Sequence, residues 1–154
     1  RETEAARPLD GLAWMIGTWV GEGEGLTITC RTSWSENKSF LVRRLVFEGP
    51  GADPMTATQR IGWDPSTETI RSWTFNSDGS VIKGRWLPMD GAWMVQNTGV
   101  LADKGRFSSV NFWIPEGEAH CVLKTSHVER DDVAAAESMI EFRRVSRTAG
   151  GDQP

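Results

Sequence analysis

Tyrosine is absent from the 154 residues, and cysteine and histidine occur twice each. With no tyrosine, large buried area has to come from eight Trp and six Phe. Cys30 and Cys121 are too few for a disulfide scaffold. They read as two buried thiols, with one bridge between distant strands as the alternative. His120 and His127 have no Cys or His partner at i+3 or i+4, so no metal-ligand spacing exists and no metal is expected. Long apolar runs are missing too: none approaches the roughly 18 residues of a membrane helix. Seventeen Lys and Arg against 21 Asp and Glu give a net charge of −4, mixed along the chain. No basic stripe forms, which argues against nucleic acid. No signal-like apolar segment opens the sequence, and the expectation is a soluble protein, cytoplasmic or exported after signal removal. Ser108, Ser109 and Asn111 form a polar patch with no Asp–His pair nearby, so no nucleophile triad can be drawn.

What is present is periodicity. Gly17-Thr18-Trp19-Val20-Gly21-Glu22-Gly23-Glu24-Gly25 places glycine at every second position around Trp19. A strand with one bare face lets something large pack closely against it. Trp19 at the first strand is expected to plug the end of a barrel. Before it, Leu9, Leu12, Ala13 and Ile16 lie at helical spacing, so residues 9–16 read as a short helical cap. After it the period becomes two, as in Leu26, Ile28 and Cys30 or Leu41, Arg43, Leu45 and Phe47. Turn chemistry separates the runs: Ser35-Glu36-Asn37-Lys38, Asp64-Pro65-Ser66, Asn76-Ser77-Asp78-Gly79 and Asp90-Gly91 are examples. Runs follow one another every 8–14 residues or so, which predicts an all-β meander of about ten strands. Such strands close most simply into an up-and-down antiparallel barrel, with a two-sheet sandwich as the second choice. One domain over 9–147 is expected, with flexible termini at 1–8 and 148–154. Residues 131–137 read as a long loop.

Alternation also selects an inward face. The aromatic-rich face carries Trp34, Phe47, Trp63, Trp73, Phe75 and Trp86, together with Arg43, Gln59 and Arg71, and is taken as the interior. Arg43, between Leu41 and Leu45, is costly to bury without a partner, and a bound carboxylate or Glu141 would supply one. Gln59 both donates and accepts hydrogen bonds. His127 shares parity with Cys121, Leu123 and Thr125, which predicts an inward, titratable group near a barrel end. His120 falls on the outer face. The expected ligand-binding set is therefore Arg43, Gln59, Trp63, Trp73, Trp86 and His127, converging on one cavity.

The spacing Gly17-x-Trp19-x-Gly21-x-Gly23-x-Gly25 resembles the opening motif of the nitrobindin-like haem proteins, ten-stranded relatives of the fatty-acid-binding and lipocalin families. In that family a histidine opens the last strand and ligates haem; the matching position here is Glu137. A longer resemblance takes in Leu12 to Trp19, Cys30, Phe40-Leu41, Gln59-x-Ile61-Gly62-Trp63-Asp64-Pro65, Ile70-Arg71-Ser72-Trp73-x-Phe75 and Ser77-Asp78-Gly79. It is to an uncharacterised bacterial lipocalin-like domain often attached behind a SnoaL-like domain. It implies the barrel and carries no assigned activity.

These readings converge on a barrel that binds a small apolar or aromatic, acidic or neutral ligand, as a monomer or homodimer, with no cofactor expected. The resemblance keeps two alternatives open: a haem-dependent isomerase or polyketide-type cyclase, and a tryptophan-filled accessory domain that binds nothing.

Overall fold

The computed structural model describes residues 7–149, and the outer parts of both expected flexible termini lie outside that range. The fold is all-β. A closed antiparallel barrel is formed by β1 (Gly17–Gly23), β2 (Leu26–Trp34), β3 (Phe40–Glu48), β4 (Met55–Asp64), β5 (Thr69–Asn76), β6 (Val81–Met89), β7 (Ala92–Val100), β8 (Arg106–Pro115), β9 (His120–Arg130) and β11 (Ser138–Ser146). Neighbours in sequence pair from β1 through β9, and β11 closes the circle between β9 and β1. A two-residue strand, β10 (Val133–Ala134), adds to the end of β9 inside the segment expected as a loop. Among the described residues no helix is long and apolar enough to cross a membrane.

The glycine-rich opening works as its pattern implies. A Cβ on Gly21 would stand 2.6 Å from the Phe142 ring and 2.8 Å from Ile140. The bare face of β1 is thus where two large side chains of β11 lie flat. Glu24 and Gly25 both take positive φ and make the two-residue turn into β2.

The cap is a 3₁₀ turn, Pro8–Met15, rather than an α-helix. Eight residues interrupted by Gly11 nucleate an α-helix poorly. Leu9, Leu12 and Met15 are buried in the core. Trp19 is buried beneath the cap, its Nε1–H donating to the Met15 carbonyl at 3.2 Å. Trp14 meets it edge-on with ring centroids 6.0 Å apart. Arg144 on β11 stacks over Trp19 at 4.9 Å and donates to the Trp14 carbonyl, fastening the cap to the last strand.

Two expected faces differ in the structure. On β5 the interior side chains are Ile70, Ser72 and Thr74, so Arg71, Trp73 and Phe75 point outward; Phe75 is 52% exposed. The register decides this. β4 and β5 join with Asp64 opposite Thr69, which puts Thr74 opposite Gln59 and Trp73 opposite Arg60. The interior position of Gln59 therefore forces Trp73 to the outer face, between Arg60 and Lys83. On β9, alternation breaks at a bulge: two residues, His127 and Val128, stand against Ser109 alone. His127 takes φ 51° and is exposed, bonded to the Ser126 hydroxyl at 2.9 Å. The expectation of an inward His127 is corrected, because a bulge re-aims every side chain beyond it.

Candidate functional site

Strand direction gives the barrel two unlike ends. At one, the cap covers Trp19. At the other, the β1–β2 turn and the starts of β4 and β11 surround a mouth leading to an interior cavity of about 340 Å³. That volume lies inside the ordinary range for small-molecule sites.

Arg43 forms the floor. It projects inward from β3 and is only 4% exposed. Its guanidinium stacks on the Trp113 ring from β8, 4.9 Å from the centroid. Nη1 donates to Gln59 Oε1 at 2.9 Å, and Nη2 to the Cys30 sulfur at 3.0 Å. Its Nε is buried with no hydrogen-bond partner, and no carboxylate among the described residues pairs with it. Glu141, considered as a partner from the sequence, faces out and contacts His120 instead. A cation is thus buried in the barrel with neutral partners alone. Gln59 passes the contact on, its Nε2 donating to Thr74 Oγ1 at 2.8 Å.

Above Arg43 the wall divides. Ile28, Leu45, Leu123, Ile140 and Phe142 make a hydrocarbon side. Gln59, Thr74, Asn97, Ser109 and Asn111 make a hydrogen-bonding side. Asn97 Nδ2 donates to Asn111 Oδ1 at 2.9 Å and to Ser109 Oγ at 3.2 Å.

Beneath Arg43, towards the cap, Cys30 and Cys121 line a void of about 10 Å³ with Met15, Trp19 and Phe142. Both thiols are free and buried. Burial pushes the Cys121 thiol up to about 12, because desolvation disfavours the thiolate.

Of the six expected binding residues, Arg43 and Gln59 line this cavity. Trp63 and Trp86 stand together elsewhere, in a surface hollow of about 530 Å³ beside Pro8 and Trp93 at the capped end. Trp86 is 2% exposed and Trp63 39% exposed. Trp73 lies on the outer face and His127 on the exposed bulge, so the six do not converge on one cavity. Sequence reasoning passed over Trp113, Thr74, Asn97 and Asn111 as cavity residues. The signal for Thr74 was the four-residue β4–β5 link, which fixes it opposite Gln59. Asn97 and Asn111 gave no signal, because polar side chains at alternate positions read as an outer face.

The wall does not fit haem. Iron in haem proteins is held by His, Cys, Met or Tyr, and none of these lines the cavity. Glu137, at the position of the expected ligand, lies in a surface hollow outside it. The chain matches no family model, and no curated protein is similar to it. The cavity itself is therefore the ground for a functional reading.

Proposed function

We propose that the barrel binds a small, largely apolar molecule that ends in an acidic group, with Arg43 as its anchor. The observation carrying this reading is the burial of Arg43 at the floor of an open cavity without a counter-charge. An isolated buried cation is costly, and neutral partners offset that cost only in part. A carboxylate entering from the mouth would supply the missing charge through charge-assisted hydrogen bonds, about twice as strong as neutral ones. The hydrocarbon side of the wall would cover the apolar body. The resemblance to lipocalin-like barrels belongs to the same proposal.

The test compares decanoate with methyl decanoate on wild type and on Arg43→Met, read by quenching of tryptophan emission. Trp113 stacks on Arg43 and is the expected reporter. Wild type should favour the acid about tenfold or more, and the substitution should abolish that preference while retaining the ester. An unchanged ratio would remove Arg43 as anchor. If neither probe binds at millimolar concentration, the reading fails.

A further inference from the structure

The interior is two-sided in a way that acid binding alone does not require. Most of the cavity's hydrocarbon comes from β9, β11, β2 and β3, and most of its amides and hydroxyls from β4, β5, β7 and β8, with Ala57, Ile82 and Phe107 set among the second group and Thr125 and Ser138 among the first. Filling the barrel is served by apolar side chains at all these positions, since each polar group brought inside needs a partner. Gly84 is an inward residue of β6, between the strands of Ser72 and Asn97. A Cβ there would run into Ser72 Oγ and stand 2.9 Å from Val95 Cγ1 and 3.0 Å from Asn97 Oδ1, so these side chains occupy the space that the glycine leaves. Asn97 spends its Nδ2 on Asn111 and Ser109. Asn97 Oδ1 and Asn111 Nδ2 then have no hydrogen-bond partner among the described residues. One acceptor and one donor, on neighbouring strands and on residues that line the cavity, are left unpaired.

We propose that the cavity selects oxygenated acids: carboxylic acids of medium length bearing an oxo, hydroxyl or amide group that the Asn97–Asn111 pair reads. The proposal rests on the acid-binding reading and specifies which acids. Depth supports it. Asn111 precedes Trp113 by two positions on the same face of β8, about 7 Å nearer the mouth by the rise of a strand. Arg43 stacks on Trp113. A carboxylate held at Arg43 would therefore place a substituent a few carbons along its chain beside the two amides. The carbonyl of an oxo group accepts from Asn111 Nδ2; a hydroxyl also donates to Asn97 Oδ1. The rest of the chain lies against Ile28, Leu45 and Ile140.

The experiment measures dissociation constants of decanoate, 5-oxodecanoate and 5-hydroxydecanoate by calorimetry on the full chain. Wild type should bind the substituted acids about fivefold to tenfold more tightly than decanoate, the worth of one net hydrogen bond. Asn111→Leu should erase that difference between the substituted acids and decanoate, and Asn97→Leu serves as a second variant. Equal affinity of wild type for all three acids overturns the proposal and leaves the acid-binding reading standing. A preference that survives both substitutions overturns the assignment to the Asn97–Asn111 pair. If decanoate and its derivatives all fail to bind, the acid-binding reading falls, and this proposal with it.

Discussion

Arg43 and Cys121 lie close together in the barrel and respond to burial in opposite ways. Arg43 brings a cation into the barrel. Its desolvation is offset by Trp113, Gln59 and Cys30. Arg43→Met removes both the charge and the desolvation cost, and strands Gln59 Oε1. The two effects oppose one another, so stability should change by less than about 1 kcal/mol. A loss above about 3 kcal/mol on chemical unfolding would make Arg43 a structural keystone instead. Cys121 avoids charge by holding its proton. Its value rises from 9.0 to about 12 on folding. Between those values the unfolded chain has released the proton and the folded one has not. Stability is thus fully present below about pH 9 and falls as pH rises towards 12. Cys121→Ala should flatten the part of that decline that wild type shows and the variant lacks. At pH 9 native Cys121 should resist iodoacetamide, with alkylation following unfolding; rapid labelling of the folded protein at that pH would show that the thiol is exposed.

Among the elements, β1 and β5 illustrate how a neighbour sets the meaning of a strand. Gly21 is bare because Phe142 and Ile140 occupy its face. Gly21→Ala should destabilise by about 1–3 kcal/mol through overpacking. The loss should shrink on a Phe142→Leu background, where the ring is gone. Equal losses on both backgrounds would mean that Phe142 does not press on Gly21. β5 takes its facing from the link before it. Asp64 accepts from the Ser66 hydroxyl and backbone N–H, and these bonds hold its carboxyl below the usual carboxylate range. Asp78 does the same with Ser80 in the link that follows. Such aspartate-capped turns fix loop length, and loop length fixes register. Trp73 faces outward because of a turn it does not touch.

At the scale of the whole molecule, closure is the central property. Ten strands pair in a circle, so no long edge remains open. The two ends differ because one carries the cap. Trp19 fills the capped end: it bonds to Met15, packs on Trp14 and supports Arg144. Trp19→Ala should cost about 3–5 kcal/mol. A loss under about 1 kcal/mol in denaturant unfolding would show that the cap closes without it.

The sequence by itself determined the class, the strand count, the turn positions and the glycine-bare first strand, because period and turn chemistry are local. It also determined the inward Arg43 and Gln59, since both sit in strands whose alternation is unbroken. Only the tertiary structure decided that Trp73 points out, that His127 leaves the interior and that Trp63 belongs to the capped end. These depend on register, on a bulge and on position along the barrel axis, and each is set by pairing with another strand. Asn97 and Asn111 belong to the same kind. A polar residue in an alternating strand is ordinarily on the wet face, and closing the barrel around a cavity makes an inner face that is polar as well.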